Sequence, residues 1–220
     1  MFPALSGDSM TLRARSKYVM DAKPAPRAGL TLFCSRDSLA CLWTRIVLAE
    51  KDVDGARIEW VNPGKPNHDL LVLNPTLDLP TLADRETVIH PAGIINEYLD
   101  ERFPHPKLSP PDPAARAKLR MALLRLERDL LPLAQRALSE KGAEGKAAKQ
   151  ALGEALLASQ RMFPARGWFL GLDYNLADCA WAALFSQLPQ LGLKISGDVQ
   201  PLLRYAERLL HRPAVRKAIG

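Results

Sequence analysis

The residues whose types suit acid–base, metal or thiol chemistry are few and scattered. His68, His90, His105 and His211 show no metal-ligand spacing such as His-Glu-x-x-His. There is no Gly-rich phosphate loop. Cys34, Cys41 and Cys179 are odd in number and lack a Cys-x-x-Cys pair, which suits a reducing cytoplasm better than a disulfide framework. Cys41 lies among apolar neighbours in a helical run, Cys34 ends an apolar strand, and Cys179 has Trp181 nearby; all three read as core residues. One stretch is left, "YLDERFPHPKLSP", residues 98–110. A helix-forming run stops at Phe103, and His105 follows with Pro104 and Pro106 on either side. Proline cannot donate to a helical ladder, so this is either a stiff linker or a rigid surface knob that a partner grips.

The elements that must position these residues divide the chain. "GLTLFC" (29–34) reads as a buried strand. In 38–51, Leu39, Leu42, Trp43, Ile46 and Val47 fall at helical spacing behind Ser38, a good N-cap. "ARIEWVN" alternates as a second strand, and "NHDLLVLNP" is a short helix closed by Pro75. "LPTLAD" and "ETVIH" are two short strands, and "PAGIINEYLDERF" is a helix with Pro91 suited to its first position. This βαβαββα order over 29–103 predicts a thioredoxin-like unit, followed by a Pro-rich linker, 104–112. From 113 to 220 the pattern is all helical. Leu119, Leu123, Leu126, Leu130 and Leu133 form one apolar seam, which Pro132 is expected to bend. A Gly-containing break at 142–145 precedes a helix over about 146–163. Asn175 and Asp178 form a capping-box variant before the next helix, and the last helices are interrupted at Pro213.

The bulk numbers limit the function classes. The 220 residues are 47% hydrophobic and 25% charged, the balance of a globular chain, with no apolar run of the ~18 residues a membrane span needs. No secretory h-region and cleavage site is seen at the start. Of the net charge of +6, +3 lies in residues 1–28, where five bases (Arg13, Arg15, Lys17, Lys23, Arg27) face Asp8 and Asp21. That tail is expected to be disordered: a solvated leader, or a contact for nucleic acid or an acidic partner. Arg204, Arg208 and Arg212 recur every four residues and are expected to share a solvated face. Aromatic interleaving or a reading motif for direct nucleic-acid binding is missing.

A thioredoxin-like unit followed by a helical unit resembles the glutathione S-transferase superfamily. "RIVLAEK", "NPTLDLPTL" and "YNLADCAWA" are similar to that superfamily's first helix, its cis-proline loop and its second-domain capping helix. "EYLDERFPHP", with "DLLVLNP", "LADC" and "LPQLG", narrows the resemblance to the stringent starvation protein A branch. The resemblance implies a bacterial, cytoplasmic dimer, of identical or of related subunits, with the transferase fold and no transferase activity. It also implies association with RNA polymerase holoenzyme through a Pro-His-Pro surface that contacts the sigma factor, nucleic acid being met only indirectly. Residue by residue, that surface is Phe103, Pro104, His105 and Pro106. Lys107 stands where typical members have a further proline, making one edge more charged.

The same resemblance locates a degenerate glutathione site at Ser38, Leu79, Pro80, His90 and Pro91. Ser38 is either an N-cap alone or a hydroxyl able to stabilise a thiolate at the helix start. At the next helix the family has an acid followed by a serine, where this chain has His90 and Pro91. Proline removes a hydroxyl and a backbone N–H together. Two donors to a charged group, each worth roughly 1.5–3 kcal/mol, correspond to a few hundredfold or more in affinity. Glutathione binding is therefore expected to be weak or absent, with no other cofactor. The alternatives are a glutathione-dependent transferase using Ser38 and a direct DNA-binding regulator, the latter motivated by a pI of about 9.4.

Overall fold

The computed structural model describes residues 29–193 and 199–220, apart from 54, 63 and 66. The basic tail lies outside the described residues. The first unit runs β1 (Leu30–Cys34), α1 (Leu39–Glu50), β2 (Arg57–Trp60), α2 (His68–Leu73), β3 (Thr81–Asp84), β4 (Thr87–Ile89) and α3 (Ala92–Arg102). The sheet order is β2-β1-β3-β4; β1 pairs parallel to β2 and antiparallel to β3, and β4 is antiparallel to β3. Strand side chains alternate between faces. Leu30, Leu32 and Cys34 point into the main core with α1 and α3, while Phe33 packs with Val61, Leu70 and Ala83 on the other face.

The helical unit comprises α4 (Pro113–Arg125), a π-helical turn (Leu126–Leu130), α5 (Leu131–Ser139), α6 (Gly142–Ser159), a 3-10 turn (Gln160–Met162), α7 (Leu176–Phe185), α8 (Leu188–Leu191), α9 (Gln200–Leu210) and α10 (Pro213–Ile219). α7 is buried along its whole length, a central rod around which the rest packs. α1 docks on α7 and α10, and the Trp43 indole N–H donates to the Leu176 carbonyl at 3.3 Å. The two units therefore share one continuous core.

The capping box is present as read. The Asp178 carboxylate accepts from the Asn175 amide at 2.9 Å and the Asn175 side chain accepts from Ala177. Burial pushes the Asp178 carboxyl up to about 6, opposed by the Tyr205 hydroxyl and the Phe169 and Asn175 amides that donate to it.

Four expectations need correction. The leucine seam is interrupted by a π-helical turn that ends two residues before Pro132, and Pro132 sits in the first turn of α5, where a missing N–H is tolerated. α6 begins at Gly142, not near 146. Gly142 takes a left-handed φ of +66° to turn the chain, and a Cβ on Gly145 would strike the Glu140 carbonyl, so glycine permits the tight α5–α6 connection. Pro91 stands at the N-cap of α3, one residue before the first helical position; its backbone is extended and its carbonyl accepts from Ile95 at 3.1 Å. The arginines do not share a solvated face. Arg212 lies beyond α9, forks onto buried Glu50 with two bonds of 2.7 Å and stacks 3.7 Å from the Tyr174 ring centre. Arg208 donates to the Pro164 and Ala165 carbonyls, both at 3.0 Å. These two arginines hold loops in place, and only Arg204 remains fully exposed.

Candidate interaction surface and the adjoining cleft

α3 ends at Phe103, whose amide still reaches the Leu99 carbonyl at 3.0 Å. The chain then leaves the helix, and Pro104, His105, Pro106 and Lys107 all face solvent, with Phe103 half-buried behind them. The His105–Pro106 bond is cis.

The residue that holds this turn is Lys51. It follows the last turn of α1, and its side chain is fully buried. Its ammonium donates to Asp100 Oδ1 at 2.5 Å, to the Phe103 carbonyl at 2.8 Å and to the Pro106 carbonyl at 2.5 Å. An ammonium has three protons, and here each meets an oxygen. Asp100 Oδ1 also accepts from the Leu108 amide at 2.8 Å, and the Leu108 carbonyl accepts from Leu176 at the start of α7. One buried ion pair thus fastens both ends of the exposed turn to α1, α3 and α7. Pairing and the added bonds offset the desolvation cost of burying the two charges.

A cavity of about 410 Å³ opens beside His105, between α3 and α4. Glu97, Glu101, Lys107, Arg116 and Arg120 line it, so its walls carry both signs. Arg120 forks onto Glu97 at 2.9 and 3.0 Å.

A second cavity, of about 460 Å³, opens at the start of α1 against α5; of the residues that the resemblance assigns to the glutathione site, Ser38 borders it and Leu79, Pro80, His90 and Pro91 do not. Ser38 caps α1, its hydroxyl accepting from Cys41 at 3.3 Å. The Leu39 amide is taken by Gln135 Oε1 at 3.0 Å, and Gln135 Nε2 donates to the Asp37 carbonyl at 2.8 Å. A side chain from α5 therefore closes the start of α1. The Leu79–Pro80 bond is cis, as the resemblance implies. His90 and Pro91 are exposed, and His90 Nδ1 stands 3.6 Å from Asp78. The first turn of α3 is also occupied from the helical unit: the Gly93 amide donates to Glu127 Oε1 at 2.7 Å. Burial pushes the Glu127 carboxyl up, opposed by that amide. The π-helical turn presents Glu127, and a side chain on Gly93 would collide with the carboxylate.

Neither Lys51 nor Asp100 stood out as a functional residue in the sequence. The available signal was Asp100 recurring at helical spacing with Ala92, Ile95, Asn96 and Leu99, which placed a carboxylate on the buried face of α3. Gln135 and Glu127 left no local signal. Among the described residues, no group of three His, Cys, Asp or Glu side chains is arranged to hold a metal ion, and no helix is long and apolar enough to cross a membrane.

Comparison with known proteins agrees with this geometry. Residues 32–107 match the glutathione S-transferase N-terminal domain. The stringent starvation protein A homologue of Pasteurella multocida is 38% identical over 195 residues, covering 88% of this chain and 92% of that one. The chain belongs to the stringent starvation protein A family. The homologue from Histophilus somni, 39% identical over 198 residues with the same coverage, agrees. A maleylacetoacetate isomerase of Pseudomonas aeruginosa is a more distant relative at 29% identity over 189 residues, covering 79% of this chain and 88% of that one. Among solved structures, Ure2p in complex with S-hexylglutathione superposes with a TM-score of 0.77 at 20% identity, covering 89% of this chain and all of that one. Rice GST1 in complex with glutathione gives 0.77 at 24% identity, covering 89% and 92%. These two establish the glutathione-transferase fold for this member of the family.

Proposed function

We propose that the chain is a non-catalytic regulator that binds bacterial RNA polymerase holoenzyme in the cytoplasm and contacts its sigma factor through Phe103, Pro104, His105, Pro106 and Lys107. The observation that carries this reading is an exposed His105 between two prolines on a turn whose base is fixed by buried Lys51. A turn already held in one shape loses little conformational entropy on docking, so the few side chains it displays count in full toward affinity. Lys107 adds a positive charge at the edge, which favours an acidic rim on the partner.

The degenerate glutathione site supports a role without catalysis. At the α1 N-terminus Gln135 already takes the Leu39 amide and Ser38 takes that of Cys41, which leaves the Ser38 hydroxyl proton as the donor for a thiolate. The α3 N-terminus needs free amides for a ligand carboxylate. Pro91 has none there, and Gly93 already donates to Glu127.

The working unit is a dimer. Ile94 on α3, with Met121 and Leu124 on α4, are large apolar side chains left 55%, 72% and 59% exposed, a face suited to a second, like chain.

The test is recovery of polymerase holoenzyme from the native host on the tagged chain, compared with His105→Ala plus Pro106→Ala. Loss of polymerase with the variant supports the reading; equal recovery removes it. A glutathione-affinity column with a chlorodinitrobenzene assay tests the second half. Retention together with turnover that disappears in Ser38→Ala would make the chain an enzyme.

A further inference from the structure

Trp60 ends β2, the edge strand of the sheet, and its indole is 37% exposed. Side chains alternate along a strand, so Trp60 lies on the same face as Ile58, which packs against the main core. β1 runs parallel to β2 with Cys34 opposite Trp60. The chain leaving β1 therefore carries Arg36 past the indole, and α1 brings Arg45 to the same ring. The Arg36 and Arg45 guanidinium carbons stand 4.2 and 4.8 Å from the ring centre. Arg45 donates one N–H to the Ala218 carbonyl, and Arg36 is exposed. Glu59, beside Trp60 on β2, is held by Arg57 at 2.7 Å. Among the described residues no carboxylate, Asp37 included, is ion-paired with Arg36 or Arg45. Two like charges on one indole, balanced only by the negative face of the ring, favour an anion beside them. Arg36 also borders the 460 Å³ cavity, where Gln187 and Gln190 offer amide donors and acceptors. Positions 36, 45 and 60 share no local spacing, so the sequence hid this grouping.

We propose that Arg36, Trp60 and Arg45 form a contact site for single-stranded nucleic acid. The Arg36 guanidinium over the indole is a planar, cationic surface on which an unpaired base stacks. A guanidinium stacked on a ring keeps its in-plane N–H groups free, and these meet a phosphate oxygen. A base and its phosphate thus find a stack and a charge in one grouping, with Gln187 and Gln190 in the adjoining cavity suited to a base edge. An acidic protein segment would use the charges and have no use for the ring, so the exposed indole is what favours nucleic acid. Duplex bases are already stacked on one another, which favours a single strand. The net charge of +6 draws a polyanion in. This proposal does not rest on polymerase binding, and none of its residues belongs to the turn at 103–107.

The experiment measures fluorescence anisotropy of labelled oligothymidylate and oligouridylate, each of about 12 nucleotides, against the full-length chain at about 50–200 mM salt. Wild type is expected to bind at the low end, and binding of either oligonucleotide supports the site. Trp60→Ala should weaken it about 5- to 150-fold, the worth of one stacked base, with the salt slope unchanged. Arg36→Gln should lower the slope of log K against log salt by about 0.7, one phosphate contact on a single strand. Arg36→Lys keeps the charge and loses the plane, so it should keep the slope and lose affinity. Arg36 is exposed, so both of its variants keep the fold even where Trp60→Ala does not. Duplex DNA should compete roughly tenfold more weakly. Wild-type affinity in all three variants would assign binding to the basic residues of 1–28 and overturn the proposal. No binding at about 50 mM salt would overturn it as well. So would polyglutamate competing as well as the oligonucleotide at equal charge, the mark of an acidic protein partner.

Discussion

Lys51→Met removes the buried ammonium and keeps most of the aliphatic stem. Three acceptors lose their donor: Asp100 Oδ1, the Phe103 carbonyl and the Pro106 carbonyl. Asp100, 5% exposed, keeps only the Leu108 amide. Breaking a buried pair from one side typically costs about 3–5 kcal/mol, because the remaining charge is uncompensated. With a urea m-value of ~2–3 kcal/mol/M for a chain of this size, the unfolding midpoint should fall by about 1–2 M. Hydrogen exchange at the Leu108 amide should accelerate together with that at Phe103. Adding Asp100→Leu removes the orphaned carboxylate and should restore part of the midpoint, while the turn stays unfastened and polymerase recovery stays low. A midpoint shift for Lys51→Met below roughly 0.3 M would refute the view that this ion pair anchors the turn.

Three further outcomes follow from the same structure. Gly93→Ala should push Glu127 away from the α3 N-terminus and lower stability by about 1–3 kcal/mol, the worth of a hydrogen bond to a charged group; in Glu127→Ala the same substitution should cost markedly less, as a double-mutant cycle in urea would measure. Asp178 titrates near 3.8 unfolded and about 6 folded, so over that interval the fold keeps a proton that the unfolded chain has released. Its contribution should therefore make stability fall by roughly 3 kcal/mol as pH rises from about 4 to about 6, a slope that Asp178→Asn flattens in urea midpoints taken across that range. Met121→Glu should halve the sedimentation mass toward one chain's 24.3 kDa, whereas a wild-type mass already at that value would remove the dimer.

Local patterns carried much of the fold. The short apolar run in "GLTLFC" marked β1, Ser38 marked the start of α1, and the Asn175–Asp178 spacing marked the capping box of α7. Each depends on residues within a few positions of one another. The leucine seam was legible too, since Leu119, Leu123, Leu126 and Leu130 are all buried. What the sequence could not show is contact over distance. Glu50 and Arg212 are 162 residues apart, and nothing in "LLHRP" distinguishes an arginine that forks onto a buried glutamate from one in water. Gln135 reaches Leu39 across 96 residues. Lys51 reads as an ordinary solvated lysine at a helix end until α3 and the turn fold over it. The π-helical turn is invisible because one extra residue in a coil leaves the apolar spacing nearly unchanged. For the candidate surface, the display residues were legible from the prolines around His105, and their anchor was not.

The most direct measurement of the central claim is equilibrium binding of purified RNA polymerase holoenzyme to the labelled chain, run in parallel with core polymerase lacking sigma. The account predicts tighter binding to holoenzyme, lost by at least tenfold in His105→Ala plus Pro106→Ala while the variant's urea midpoint is unchanged, since both side chains are exposed. Equal affinity of wild type and variant for holoenzyme would contradict it.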